Sequence, residues 1–322
     1  MASGLCDILE RAVERGARLG AVVTEAGVER AARDADGLYP LASVRKVVTL
    51  GGYALSVAGG VSDPGEPVPV ADVERWYWPG TDGGAHRRSR DWWASDTVVP
   101  LEAVAEAMIR FSDNAAADYL LDRVGPDGVD SFARRAGLAA QEPILPILGE
   151  FRAWHRSPDR WLALDAGQRA AEAWRHARSP ATAAEDSPVE EATQRRCAAV
   201  GCRGTPRQWA RLMVRLAGGI DVPAEATEVI RRVLEFGAVA DDPVTGRLGR
   251  KDGDLPGVVA FAGYVRDRGG DQPEVGVALF VRDLPGQWQG RVARALPQSA
   301  SELLALATSA VGGALRTESA DS

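Results

Sequence analysis

The sequence predicts an α+β fold in which an antiparallel five-stranded sheet is built from both ends of the chain and flanked by helices. An all-helical lobe is inserted between the two parts. Two observations predict this fold: strand-like segments lie near both ends, and helical periodicity dominates the middle of the chain. The chain has 322 residues, of which 45% are hydrophobic, so it can bury a large core. The simplest assembly places an active site between the lobes.

The strands fall into two groups that together form one sheet. Their predicted bounds are residues 18–24, 28–33, 247–251, 258–266 and 275–282. Turn signals at Ala26-Gly27 and at Gly269-Gly270 join neighbouring strands into hairpins. We therefore expect an α/β lobe formed by residues 1–58 together with residues 225–322, and a helical lobe formed by residues 59–224.

Helical periodicity predicts most of the remaining elements. The predicted helices are residues 3–16, a segment ending near 58, residues 100–111, a segment ending near 124, parts of 157–196, a segment opening at 206, residues 224–236 and residues 299–311. Residues 139–151 are interpreted as a proline-broken loop. Residues 70–100 carry four tryptophans around Asp82-Gly83-Gly84, which is typical of an ordinary turn but could also wall a pocket.

Charge and composition exclude several classes of partner. The net charge of −7 argues against binding to nucleic acid or to an anionic membrane surface. No apolar run approaches the ~18–20 residues of a membrane span. The first fourteen residues have a charged helical pattern and not that of a signal peptide, so we expect a cytoplasmic protein. The three cysteines and three histidines form no disulfide framework and no metal pattern, and we expect no cofactor and no metal.

A serine and a lysine stand three positions apart at the start of a predicted helix, as Ser43-x-x-Lys46. Side chains at this spacing lie on one face of a helix and can touch. A serine hydroxyl becomes nucleophilic when a neighbouring amine of lowered pKa takes its proton, and the helix N-terminus supplies N–H groups for the oxyanion. Ser43 and Lys46 are therefore a candidate nucleophile and base, although the motif alone is weak.

Composition strengthens the case for this lysine. Of the 38 lysine and arginine residues, only Lys46 and Lys251 are lysines. Arginine serves surface ion pairs but cannot lose its proton, so lysines retained in an arginine-rich chain are candidates for chemistry that arginine cannot perform. The alternative is that both are ordinary surface residues.

Two further motifs follow along the chain. Ser112-Asp113-Asn114 falls in a turn between two predicted helices, where it could line a cleft or simply cap the second helix. Lys251-Asp252-Gly253 precedes a strand-like segment. Ser-x-x-Lys, Ser-Asp-Asn and Lys-Thr-Gly together mark class A β-lactamases and penicillin-binding proteins. The sequence resembles this superfamily of serine hydrolases, over nearly the whole chain and most closely in its class A form.

The resemblance implies a role for each matching residue. Ser43 is the expected acylated nucleophile, with Lys46 as its base or proton relay. Ser112 is expected to pass a proton to the leaving group, and Asn114 to hold the substrate amide or brace the site. Lys251 lends positive charge near Ser112. The oxyanion hole is expected from the backbone N–H groups of Ser43 and Asp254, beside Gly253.

Two departures from the family pattern carry expectations of their own. Asp252 stands where the family has a hydroxyl that helps to bind the substrate carboxylate. An anion there favours a neutral or cationic acyl donor, or pairs with Lys251 and raises the pKa of that lysine. The deacylating glutamate of class A enzymes has two candidates here, Glu142 and Glu150, which both lie in the right interval after Ser112.

The predicted function is that of a serine hydrolase, β-lactamase-like, that acts through an acyl-Ser43 intermediate on a small-molecule β-lactam, ester or amide. One alternative is a non-catalytic ligand-binding or sensor descendant of the same fold, with Asp252 as the disabling change. Another is a cytoplasmic acyltransferase or esterase of specialised metabolism, because fold does not fix substrate.

Overall fold

The computed structural model describes residues 2–94, 96–179, 190–219, 222–236, 245–267 and 273–311. Its strands are β1 (Arg18–Glu25), β2 (Val28–Arg33), β3 (Tyr39–Pro40), β4 (Pro67–Pro69), β5 (Val98–Pro100), β6 (Arg203–Gly204), β7 (Arg247–Leu255), β8 (Val258–Arg266) and β9 (Val275–Arg282). Five of them form one antiparallel sheet in the order β2-β1-β9-β8-β7. This confirms the predicted α+β fold. The predicted turn at Gly269-Gly270 lies outside the described residues.

The helices surround this sheet and fill the middle of the chain. They are α1 (Ala2–Val13), α2 (Lys46–Ala58), α3 (Val70–Glu74), α4 (Ala85–Trp93), α5 (Leu101–Arg110), α6 (Asn114–Arg135), α7 (Ile147–Arg156), α8 (Pro158–Ala163), α9 (Ala166–Ala177), α10 (Glu191–Ala199), α11 (Pro206–Gly218), α12 (Ala224–Leu234), α13 (Gly286–Ala295) and α14 (Ala300–Ser309). A short 3-10 helix, Ala42–Arg45, leads into α2. None of the described helices is both long and apolar enough to cross a bilayer.

Both faces of the sheet are covered, because alternate residues of its strands enter different cores. In β1, Leu19 and Val23 pack with residues of α1 and α14 on one side, and Val22 packs with the core around α2 on the other. Side chains of a strand alternate between its faces, so a strand between two helical layers is apolar on both. This explains why β1 is buried along almost its whole length.

Helix α2 is the buried element on which the candidate site is built. Its residues are buried nearly all round, and Val47, Val48 and Leu50 have no exposed surface. The helix packs closely on α6 at Gly51, where a Cβ atom would stand 2.3 Å from the Phe132 ring. A helix apolar on all sides belongs in a core, so the residues that lead into it are held on a rigid platform.

The structure adds detail to two segments that the sequence presents as loops. Residues 70–100 contain α3, α4 and β5. Within this segment Trp93 is buried in the core, whereas Trp78 lines a cavity. The last part of residues 139–151 is helical, because α7 begins at Ile147.

The division into two lobes stays a prediction. Helix α11, which the sequence placed in the helical lobe, packs on β8 and β9 of the sheet, and α2, which it placed in the α/β lobe, packs on α6. The elements of the two predicted lobes are therefore interleaved.

Candidate active site

Ser43 lies in the 3-10 helix before α2 and lines a cavity of about 860 Å³. It is partly exposed, whereas its neighbours Val44, Arg45 and Lys46 are buried. The residue before it, Ala42, has a φ of +44°, a left-handed conformation that is rare for a residue with a side chain. Such strain costs on the order of 1–3 kcal/mol and concentrates at functional sites.

Lys46, the first residue of α2, extends behind the cavity wall to the turn between α5 and α6. Its Nζ lies within hydrogen-bond distance of the carbonyl oxygen of Ser112 at 2.6 Å, of Ser112 Oγ at 3.1 Å and of Asn114 Oδ1 at 2.7 Å. The side chain is only 1% exposed. The structure thus brings together the lysine of the first motif with the serine and asparagine of the second.

Burial governs the charge of this amine. The pKa of Lys46 lies well below its ordinary value, first because burial disfavours the ammonium and second because Lys251 repels it. Asp113 and Asp118 oppose this shift without cancelling it. The neutral amine, which can accept a proton, is therefore populated at a lower pH than for an exposed lysine.

The turn that holds Ser112 is fixed by its neighbour Asp113. The Asp113 carboxylate caps α6 by accepting from the backbone nitrogens of Ala115 at 2.9 Å and Ala116 at 3.2 Å. Its other oxygen lies 2.9 Å from His86 Nδ1. Burial alone would raise the pKa of Asp113, but the contact with His86 lowers it overall. Ser112 itself has a φ of +63°, a second strained position at the site.

His86 supports the site but is not identified by the sequence motifs. Its side chain is 3% exposed and stacks on the Tyr77 ring with 4.3 Å between ring centroids. The Asp113 contact spans 27 residues of sequence, and no local pattern marks it. The sequence feature that could have drawn attention to His86 is the turn Asp82-Gly83-Gly84 just before it. The Asp82 carboxylate of this turn accepts a hydrogen bond from the His86 backbone nitrogen at 2.7 Å.

The third motif lies on the edge strand β7 and lines the cavity beside Ser43. Lys251 is 2% exposed, and its Nζ donates to the carbonyl oxygen of Asp252 at 2.6 Å. Burial lowers the pKa of Lys251, as it does for Lys46. Gly253 lies against Ser43, so that a Cβ atom on Gly253 would stand 2.3 Å from the Ser43 nitrogen. The strand can approach the candidate nucleophile this closely only because residue 253 has no side chain.

One of the two outcomes expected from the sequence was that Asp252 pairs with Lys251 and raises the pKa of that lysine. The structure contradicts this outcome, because the pKa of Lys251 is lowered overall. The Oδ1 atom of Asp252 instead accepts from Arg250 Nη1 at 2.6 Å, two residues back along the same strand. The charge of Asp252 favours the Lys251 ammonium, but burial outweighs it and the net pKa shift is downward. Residues two apart on a strand share a face, which explains why Arg250 is the partner.

Asp254 also lines the cavity and is exposed. Its Oδ2 accepts from Gln289 Nε2 of α13 at 3.1 Å. The β7 wall therefore presents two carboxylates, from Asp252 and Asp254, and one guanidinium. The oxyanion role of the Asp254 backbone N–H stays a prediction.

Neither candidate glutamate lies in the cavity lining, and the role of either as a deacylating base stays a prediction. Glu142 is held by Arg203, whose Nη2 lies 2.6 Å from Glu142 Oε1. Glu150 is fully buried and pairs with Arg45 at 2.6 Å between Oε2 and Nη1. Each carboxylate is paired with an arginine, and one of these arginines, Arg45, itself lines the cavity. In the described part of the chain, the carboxylates that line the cavity are those of Asp82, Asp252 and Asp254.

Another part of the cavity wall is formed by α7, which a buried carboxylate holds in place. Asp118 of α6 accepts from the backbone nitrogens of Ile147 and Leu148, each at 2.7 Å. Burial raises the pKa of Asp118 to about 7, against the lowering effect of these hydrogen bonds. Through this contact the apolar residues of α7 that line the cavity, Ile147, Phe151 and Trp154, keep their positions.

The described residues show no group of three or more His, Cys, Asp or Glu side chains that could hold a metal ion. What the site does offer is a partly exposed serine, two buried lysines with lowered pKa and a second serine at hydrogen-bond distance from one of them. A hydroxyl, a proton acceptor and backbone N–H groups in one cavity are the components of acyl-transfer chemistry.

Comparisons with known proteins agree with the fold. A model of the β-lactamase enzyme family matches residues 7–296. No curated protein sequence matches the chain. Among solved structures, the chain is similar to a β-lactamase from Sphaerobacter thermophilus DSM 20745, with 20% identity, 94% of this chain and 97% of that chain covered, and a TM-score of 0.60.

Two further solved structures are similar at comparable levels. One is a mutant of PBP-A described as an acyl-enzyme complex with penicillin G, with 16% identity, 95% and 97% of the two chains covered and a TM-score of 0.58. The other is a mutant class A β-lactamase of the last common ancestor of Gram-negative bacteria, with 17% identity, 95% and 97% covered and a TM-score of 0.58. At such identities the likeness shows the fold alone.

Proposed function

The chain belongs to the β-lactamase enzyme family, and we propose that it is a serine hydrolase that acts through an acyl-enzyme intermediate on Ser43. The family and the fold support a hydrolase of the β-lactamase kind. The finer assignment, with Ser43 as nucleophile and Lys46 as base, rests on the site.

The observation that carries this proposal is the environment of Lys46. A lysine that served only structure would keep its charge and pair with a carboxylate. Lys46 is buried beside a second lysine, its pKa is lowered, and its Nζ contacts the neutral oxygens of Ser112 and Asn114. These are the conditions under which a lysine works as a general base near neutral pH.

The proposed reaction has two halves, acylation of Ser43 and hydrolysis of the acyl-enzyme. Ser43 Oγ attacks the acyl carbon while its proton passes to Lys46, and the oxyanion accepts from backbone N–H groups beside Gly253. The bond to the leaving group breaks as that group receives a proton from Lys46 through Ser112. Water then attacks the acyl-Ser43 ester, giving its hydroxyl to the acyl carbon and its remaining proton to Ser43 Oγ. Lys251 stabilises negative charge near Ser112.

Hydrolysis of the acyl-Ser43 ester, the second half of this cycle, is expected to be slow. Glu142 and Glu150 are held in ion pairs and do not line the cavity, whereas the apolar side chain of Ile147 does. A long-lived acyl-enzyme suits transfer of the acyl group to an acceptor other than water, so the absence of both glutamates from the cavity lining favours an acyltransferase as the second candidate function. A β-lactam is one possible acyl donor, as the penicillin complex of the PBP-A mutant illustrates for that protein.

A burst experiment tests the proposal. We expect the protein to release about one equivalent of p-nitrophenolate from p-nitrophenyl acetate in a rapid phase, followed by slow turnover. The variant S43A should lose the rapid phase. The variant S301A, which removes an exposed serine of α14, should keep it. A rapid phase of equal size in S43A would contradict the proposal.

A further inference from the structure

The β7 wall of the cavity carries a carboxylate beside the candidate nucleophile. Gly253 contacts Ser43, and the residue before it, Asp252, lines the same cavity with 41% of its side chain exposed. Asp252 and Ser43 line the same cavity, so the acyl chain of a donor that runs from Ser43 along β7 passes the Asp252 carboxylate. The carboxylate therefore acts on the part of the donor next to the reacting carbonyl.

The cations near this carboxylate already have partners. Arg250 uses Nη1 on Asp252 Oδ1 and Nη2 on Gln298 Oε1, at 2.6 Å and 2.5 Å. Lys251 is buried and donates to the Asp252 carbonyl oxygen. Arg45 is paired with Glu150. A donor carboxylate placed along β7 would thus compete with Asp252 for Arg250.

The charges of the β7 wall are two carboxylates and two cations, and they are unequally exposed. Arg250, Asp252 and Asp254 alternate along β7 and so lie on one face of the strand. The guanidinium neutralises one carboxylate. The second, on Asp254, accepts from the neutral amide of Gln289 and also interacts with Lys251. Lys251 is only 2% exposed and the Arg250 side chain 15%, whereas 41% of the Asp252 side chain is exposed and Asp254 is exposed as well. The carboxylates are therefore the charges of the wall that a bound donor meets first, well within the ~8 Å over which charges act at physiological ionic strength.

We infer that the site selects acyl donors that carry a cationic group, such as an ammonium, on the part of the acyl chain that lies along β7. Asp252 is the residue that determines this selectivity. Arg250 weakens it, because its guanidinium pairs with the Asp252 carboxylate. The inference rests on the proposed acylation of Ser43. The substrates would be esters or amides with a cationic group on the part of the acyl chain along β7, and donors with a carboxylate at the same position would be disfavoured.

Three p-nitrophenyl esters test the inference: those of γ-trimethylammonium butyrate, of its neutral tert-butyl isostere and of γ-sulfobutyrate. We expect the wild-type protein to be acylated fastest by the cationic ester and slowest by the anionic ester. The acylation rates with these two esters should differ at least about tenfold. D252N should reduce the cationic-to-anionic ratio about tenfold. R250Q, which leaves Asp252 unpaired, should raise it. D7N, an exposed carboxylate on α1, controls for net charge and should leave the ratio unchanged.

Each outcome separates the inference from the proposed function. Suppose that the neutral ester gives a burst that depends on Ser43. If D252N then leaves the cationic-to-anionic ratio of acylation rates unchanged, or if D252N and R250Q shift it in the same direction, the inference is overturned while acylation of Ser43 stands. Release no faster than that of S43A with all three esters overturns the proposed function and the inference with it.

Discussion

Gly253 and Ser43 approach so closely that no side chain fits between them: a Cβ atom on Gly253 would stand 2.3 Å from the Ser43 nitrogen and 2.7 Å from Ser43 Cβ. The nitrogen is one of the two expected oxyanion donors. The contact therefore determines both the position of the candidate nucleophile and the room for the oxyanion.

The variant G253A should lose activity through this contact. We expect the rate of Ser43 acylation to fall at least ~100-fold, because the methyl group displaces Ser43 or fills the space of the oxyanion. Stopped-flow measurement of the p-nitrophenolate burst gives this rate. G4A, where a Cβ meets nothing within 4 Å, is the matched glycine control. A burst of normal rate in G253A would show that the close approach of β7 to Ser43 does not govern the chemistry.

The pH dependence of acylation should report Lys46. Because the neutral amine is the active form and its pKa is lowered from 10.5, the acylation rate should rise with pH through a midpoint well below that value. Arginine cannot be deprotonated, so K46R should acylate at least ~100-fold more slowly across the same pH range. A midpoint at or above the ordinary lysine pKa, or a fast K46R, would remove Lys46 as the base.

The two glutamates should respond differently to substitution. E150Q leaves the buried Arg45 without its partner, and we expect a loss of about 3–5 kcal/mol in the free energy of unfolding. E142Q breaks a pair that is more exposed and should cost less. Chemical denaturation measures both effects.

Neither glutamate should act on the acyl-enzyme. Decay of acetyl-Ser43, followed by mass spectrometry, should keep its rate within about twofold in E142Q. A much slower decay would identify Glu142 as the deacylating base that its position argues against.

Replacing Asp252 by threonine should improve acylation by a carboxylate-bearing donor. D252T removes the anion, frees Arg250 and offers a hydroxyl, so acylation of Ser43 by benzylpenicillin should become about tenfold faster. The rate of adduct formation measures this change, with the neutral tert-butyl ester as the reference donor. An equal gain with that neutral ester would show that Asp252 acts on something other than donor charge.

Local patterns were enough to predict the fold and to select the residues that the structure gathers around one cavity. Period-two and helical spacing identified the five strands of the sheet, and the three short motifs pointed to Ser43, Ser112 and Lys251. These three side chains line the cavity, and Lys46 lies behind it. Their roles in catalysis stay predictions.

The residues that the sequence motifs did not identify act through partners distant in the chain. His86 meets Asp113, Arg45 meets Glu150, and Asp118 meets the start of α7. Each contact depends on how helices pack, which no local spacing encodes. The pairing of Asp252 with Arg250 is local, but its preference over Lys251 depends on the direction in which each side chain leaves β7.

Acylation of Ser43 is the step on which the other proposals depend, and peptide-level mass spectrometry after incubation with p-nitrophenyl acetate observes it directly. We predict one acetyl group that accumulates before it decays. Fragmentation should place it on Ser43 in the tryptic peptide of residues 34–45, and S43A should lack it. An acetyl group on another residue only, or equal labelling of S43A, would contradict the assignment of Ser43 as the nucleophile.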